Sequence, residues 1–371
     1  MLIGVPKEIK SFERRVGMTP ASVQETVERG HSVIVQSGAG HSIGFDDVEY
    51  ESAGAKITDK AEQVFENADM ILKVKEPQEK EIDWLKPGQI LFTYLHLAPD
   101  PEQTDSLLNS GCTAIAYETV SDDSGGLPLL APMSAVAGRM AVQAGAHCLE
   151  VPRGGRGVLV GGVPGVPPAT VVVLGGGVVG SNALSVAVGM GGKLTVIDKN
   201  VRRLTEIDSL YQNRVITRFS TQAVIAEELE HADLVIGAVL VPGAEAPKLI
   251  SSEMVACMKR GAVIVDVAID QGGCCESSRP TTHENPTYVT EGVVHYCVAN
   301  MPGAVARTST LALNNVTLPF VLKIADLGLK AALKTDQNLM NGLNIHEGLL
   351  TFEAIAKAQR RTFTPARDAI S

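Results

Sequence analysis

Val171-Val-Val-Leu-Gly175-Gly-Gly177-Val-Val-Gly180 is an apolar β-branched run that breaks into glycines spaced G-x-G-x-x-G. A second apolar run, Leu194-Thr-Val-Ile-Asp198, follows it and ends on an acid. In that order the first glycine allows a tight turn, the second lets the backbone approach a pyrophosphate, and the third brings helix and strand close together. Free N–H groups at the helix start then receive phosphate. Asp198 lies near the distance, ~20 residues on, at which a carboxylate binds ribose hydroxyls and repels a 2′-phosphate. Lys199, Arg202 and Arg203 are cations of the kind that hold such a phosphate; Asp198 decides the reading for NAD.

Outward from this turn, residues 169–174, 193–198, 214–218, 234–239 and 262–268 read as buried parallel strands, with helices over 200–212, 221–231 and 251–259. The first third repeats the alternation without the glycines. Strands are expected at 2–5, 32–36, 70–74, 90–93 and 113–117, and helices over 19–29 and 101–110. Thr19-Pro20 has the form of an N-cap followed by proline at the first helical position. A long connecting helix is expected over 132–150, and after Arg307 the pattern turns helical, with an apolar face over 311–327. The fold class is α/β, two doubly wound, Rossmann-like domains with a cleft between them.

The chain has 371 residues, enough for about two domains of ~100–200 residues each. A formal net charge of −10 without a basic block disfavours nucleic acid and anionic membranes as partners. Residues 157–192 carry no charge and are long enough for a membrane span of about 20 residues. Their glycines, with Pro164, Pro167 and Pro168, argue instead for loop, buried strand and phosphate turn. No secretory signal is read at the N-terminus, and six scattered cysteines suit a reducing cytoplasm. Cys274, Cys275, His283, His295 and Cys297 lack the short paired spacing of a zinc site, so no metal is expected.

Chemistry is expected at strand ends. Arg15 follows the first strand and could clamp a carboxylate through paired hydrogen bonds, with Arg14 equally eligible. Lys75 ends Leu72-Lys-Val-Lys-Glu-Pro77, where strand alternation puts Lys73 and Lys75 on one face. His96 closes Ile90-Leu-Phe-Thr-Tyr-Leu-His96 and suits proton transfer, its reference pKa being about 6.5. Asp270 closes Val263-Ile-Val-Asp-Val-Ala-Ile-Asp270, where an acid could accept a proton or order water; Asp266 within that run reads as structural.

With LKVKEP, YLHLAP, DVAIDQGGC and the glycine turn in view, the chain resembles the alanine dehydrogenase family over essentially its whole length. The resemblance implies reversible NAD-dependent oxidative deamination of L-alanine to pyruvate and ammonia. It implies substrate binding by Arg15 and Lys75, and an acid–base pair of His96 and Asp270. Implied cofactor contacts are Ser134, Gly175, Gly177, Val178, Val179, Gly180, Asp198 and Arg203, the last often lysine in relatives. Ser220, Val239, Leu240, Val267, Ala268, Ile269 and Asp270 join them, as do Arg279, Val298, Ala299, Asn300 and Met301. A substrate domain of 1–128 plus 307–371, an NAD-binding domain of 129–306 and a homohexamer are implied too. The alternative, the soluble nucleotide-binding component of a proton-translocating transhydrogenase, would carry no amino-acid substrate.

Overall fold

A computed structural model describes residues 1–239 and 246–371, and the chain divides into two units, residues 1–133 with 305–371 and residues 134–304. In the first, strands β1 (Leu2–Val5), β2 (Ser32–Gln36), β3 (Lys56–Thr58), β4 (Met70–Leu72), β5 (Ile90–Thr93) and β6 (Thr113–Ala116) run parallel. Ile3, Ile71, Leu91 and Phe92 are fully buried, as expected for strands covered on both faces. The Thr19 hydroxyl caps helix Pro20–Glu28 by accepting from the Ser22 amide.

The second unit holds β7 (Thr170–Leu174), β8 (Lys193–Asp198), β9 (Val215–Phe219), β10 (Leu234–Gly237), β11 (Val263–Asp266), β12 (Thr287–Thr290) and β13 (Val293–Tyr296). Their order is β12-β13-β11-β10-β7-β8-β9, parallel except for β12 on β13. The chain therefore reverses its direction of winding between β7 and β10, the position where doubly wound sheets bind ligands beyond their strand ends. In the first sheet the same reversal falls between β1 and β4.

Three expectations need correction. The tail is not all helical: β14 (Leu343–His346) pairs antiparallel with β6 and with β15 (Leu349–Leu350), extending the first sheet to eight strands ordered β15-β14-β6-β5-β4-β1-β2-β3. β4 stops at Leu72, because the Glu8 carboxylate takes the Val74 and Lys75 amides at 2.6 and 3.1 Å. The run 262–268 ends as strand at Asp266, which accepts from the Ala268 amide and starts a 3-10 turn, Val267–Gln271.

Candidate functional site

In the first unit the strand ends on either side of the switch point carry the cations. Arg15 follows β1 and is almost wholly buried, whereas Arg14 is exposed and donates to the Ser42 hydroxyl. The Arg15 guanidinium grips both oxygens of Glu13, with Nε to Oε1 at 2.7 Å, and Nη1 lies 3.1 Å from Met133 Sδ. Burial works against the Arg15 charge, yet Glu13 prevails and raises its pKa; Glu13 in turn, despite burial, is held below the ordinary carboxylate range by Arg15.

Lys73 and Lys75 have opposite surroundings. Lys73 is fully buried between Glu8 Oε2 at 3.0 Å and Glu81 Oε1 at 2.8 Å. The Lys75 ammonium has no hydrogen-bond or ion-pair partner among the described residues, and burial and the nearby Arg15 charge lower its pKa. Its backbone is pinned by Glu8 and by the Thr93 hydroxyl, which donates to the Lys75 carbonyl at 2.9 Å. An anionic group would relieve this uncompensated charge.

His96, after β5, has φ +51°, a conformation that costs a non-glycine residue about 1–3 kcal/mol. Glu118 Oε1 accepts from its amide at 2.5 Å and from the Leu95 amide at 3.2 Å. The half-exposed imidazole lies parallel to the Tyr94 ring, with Nδ1 3.9 Å from Glu118 Oε1. Reading along the sequence passed over Glu8, Glu13 and Glu118. Glu13, two residues from Arg15, left a local signal; Glu8 and Glu118 reach their partners only through strand neighbours.

In the second unit each glycine of the turn has its own reason. Gly175 has φ +99°, and a Cβ there would come within 2.7 Å of the Ala238 carbonyl. A Cβ on Gly180 would be driven into the Gly175 carbonyl oxygen. A Cβ on Gly177 meets no neighbour among the described residues within 4 Å, so this glycine leaves open the space before helix Val178–Gly189. The phosphates of a dinucleotide fit such a cradle. Val178 and Val179 begin the helix, and Ser134 lies on helix Ala131–Cys148.

Asp198 ends β8 with Oδ2 accepting from the Gly176 amide at 2.6 Å and Oδ1 from the Asn200 amide at 2.7 Å. Arg203 Nε donates to the Gly176 carbonyl at 2.6 Å, and Ser220 donates its amide to the Asp198 carbonyl at 3.0 Å. Asp198, Arg203, Ser220 and the glycines thus form one connected group, with Val239 following β10. Leu240 lies outside the described residues.

Asp270 is exposed on the 3-10 turn with Val267, Ala268 and Ile269. Buried Asp266 ties that turn down, accepting from the Ala268 and Cys274 amides and, at 2.6 Å, from the Ser278 hydroxyl. Lys248 Nζ, a further group the sequence reading missed, donates to the Gly273 carbonyl at 2.9 Å. The Arg279 guanidinium stacks 4.3 Å over Tyr288. Val298 bridges to Thr281, and Asn300, at φ +63°, turns the chain between Ala299 and Met301. All six cysteines are free; Cys274, buried against Asp266, has its thiol pKa well raised. Among the described residues no cluster of His, Cys, Asp and Glu could hold a metal, and no helix is long and apolar enough to cross a membrane.

Two parallel-rich α/β units, one with a dinucleotide turn and one with cations at its strand ends, define a Rossmann-like protein built for a nicotinamide nucleotide. Family models described as "Alanine dehydrogenase/PNT" match twice, the N-terminal domain over residues 4–137 and the C-terminal domain over 141–353. Alanine dehydrogenase from Halomonas elongata is 59% identical over 96% of both chains. That from Bacillus subtilis is 52% identical over 100% of this chain and 98% of its own. A solved L-alanine dehydrogenase superposes with a TM-score of 0.95 at 52% identity, covering 97% of this chain and 99% of its own. A transhydrogenase from Sinorhizobium meliloti gives 0.82 at 25% identity, covering 95% and 100%. The chain belongs to the alanine dehydrogenase family, and these likenesses support an amino-acid dehydrogenase acting on alanine.

Proposed function

We propose that the protein catalyses the reversible NAD-dependent oxidative deamination of L-alanine to pyruvate and ammonia. The observation that carries this reading is the convergence of Arg15, Lys75 and His96 on the loops after β1, β4 and β5, neighbouring strands at the switch point of one sheet. A zwitterion with one carboxylate and one transferable proton matches that set of groups.

When bound, the nicotinamide ring supplies the hydride acceptor for the alanine Cα–H. Arg15, oriented by Glu13, and Lys75, whose ammonium has no hydrogen-bond or ion-pair partner among the described residues, hold the substrate carboxylate and, in pyruvate, its carbonyl oxygen. His96 takes a proton from the ammonium group, so that the neutral amine can lose hydride from Cα and become an iminium ion. Asp270 orders the water that adds to the iminium carbon and accepts a proton from it. His96 returns its proton to the amino nitrogen of the carbinolamine, whose hydroxyl proton is lost as ammonia departs and the pyruvate carbonyl forms. Such acid–base assistance typically contributes about 10²–10⁴ in rate. The glycine turn and helix start hold the pyrophosphate, and Asp198 the adenosine ribose, with Arg203 beside it. Ser134, Ser220, Val239, Leu240, Arg279 and the segments 267–270 and 298–301 complete the nucleotide contacts. The substrate groups belong to a domain of 1–128 plus 307–371 and the nucleotide contacts to one of 129–306. The reading extends to a cytoplasmic homohexamer, measurable by light scattering. Replacing His96 or Asp270 by alanine should cut turnover at least about 10²-fold while NADH still binds; near-normal turnover in both variants would overturn the assignment.

A further inference from the structure

We propose that Glu118 is a positioning residue for proton transfer, acting through His96; the proposal rests on the acid–base role given to His96 above. Glu118 stands on the 3-10 turn Tyr117–Thr119 directly after β6, which pairs in register with β5, the strand that delivers His96. Sheet pairing alone therefore brings the two together. Both carboxylate oxygens face the end of β5: Oε1 accepts from the Leu95 and His96 amides, and Oε2 lies 3.3 Å from the Leu95 amide.

Those bonds hold His96 in its left-handed conformation, which its side chain alone would not favour. The same Oε1 lies 3.9 Å from Nδ1. From the other side Tyr94 sets the plane of the ring, with centroids 5.9 Å apart and planes within 4°, and Tyr94 is itself anchored by its hydroxyl donating to the Leu129 carbonyl at 2.6 Å. Backbone and ring plane are thus both determined from neighbours. With Nδ1 on the side of the Glu118 carboxylate, Nε2 is the ring nitrogen left to exchange a proton with substrate. Glu118 makes no substrate contact in this account; its effect passes entirely through the imidazole.

The test is a double-mutant cycle on the full-length protein, combining Glu118→Ala with His96→Ala and following NADH oxidation with pyruvate and ammonium. NADH fluorescence titration and thermal unfolding check the fold of each variant. Glu118→Ala should lower kcat by about 10²-fold, as misplacement of a reacting group by about 1 Å does, with a much smaller change in the KM for pyruvate. In the His96→Ala background the same change should cost less than about twofold, because the two residues act as a unit. An equal loss in both backgrounds, or none in the wild-type background, would overturn the proposal while leaving His96 its role. Normal turnover by His96→Ala alone would instead remove the reading on which the proposal rests. If the alanine variant does not fold, Glu118→Gln, which keeps an acceptor for the two amides and removes only the charge beside Nδ1, takes its place. A smaller loss of kcat that disappears in the His96→Ala background then supports the proposal, and an equal loss in both backgrounds, or none, overturns it.

Discussion

Asp198 Oδ2 accepts the Gly176 amide at 2.6 Å, so the acid that ends β8 also fastens the glycine turn that follows β7. In the proposed function one side chain therefore joins the two places where a dinucleotide would be read, its ribose and its pyrophosphate. Replacing Asp198 by Ser should lower the ratio of kcat/KM for NAD to that for NADP by at least about tenfold, roughly the worth of one charge-assisted hydrogen bond. A ratio unchanged by the substitution would contradict the ribose assignment.

Gly177 and Gly180 are predicted to fail differently. Alanine at 177 meets no neighbour among the described residues within 4 Å, so the fold should survive and Tm stay close to wild type while NADH affinity drops. Alanine at 180 collides with the backbone of Gly175, so Tm and NADH affinity should fall together. Calorimetry with fluorescence titration separates the two; equal loss of Tm in both variants would speak against an open phosphate cradle.

Lys73 and Lys75 stand two residues apart and should give opposite results. Lys73→Met leaves Glu8 and Glu81 buried without their cation, at a cost of about 3–5 kcal/mol. Lys75 has its pKa lowered in the folded state, so its charge begins to oppose folding as pH falls below the ordinary lysine value of 10.5, and the full cost is present below the depressed pKa. Lys75→Met should therefore show a Tm at pH 7 no lower than wild type, together with a severe loss of alanine turnover. Denaturant melts of the pair decide this, and a Lys75→Met protein as unstable as Lys73→Met would refute it.

The Glu13 carboxyl titrates below its ordinary value of 4.5 in the folded protein, because Arg15 offsets its burial. A depressed carboxylate stabilises the fold above its unfolded pKa, and that contribution fades as pH falls through the folded value. Glu13→Gln should be destabilised by about 3–5 kcal/mol at pH 7, since Arg15 stays buried without its counter-charge. The gap to wild type should narrow as the pH is lowered below about 4.5. A gap independent of pH would show that the charge on Glu13 contributes little.

Much of the second unit was legible along the chain because its signals are local. The run 171–174, the glycines and Asp198 need only neighbours in sequence to be read. The hairpin β12–β13 and the tail strand β14 were not, since strands this short have no distinctive period and gain stability only by pairing with β11 and β6. Lys75 was marked by its place behind an apolar run, but its difference from Lys73 depends on Glu8 and Glu81, one of them 65 residues away from Lys73. Glu118 gave no signal at all: its connection to His96 exists only once β5 and β6 lie side by side.

The proposed activity is a single reaction that consumes an amino acid and reduces a nicotinamide. Adding L-alanine and NAD to the purified protein and following NADH absorbance tests it most directly. A rise that requires L-alanine, yields pyruvate in equal amount and reverses on addition of ammonium is the predicted result. NADH binding with no alanine-dependent change, or hydride exchange between two nicotinamide nucleotides without any amino acid, would contradict it.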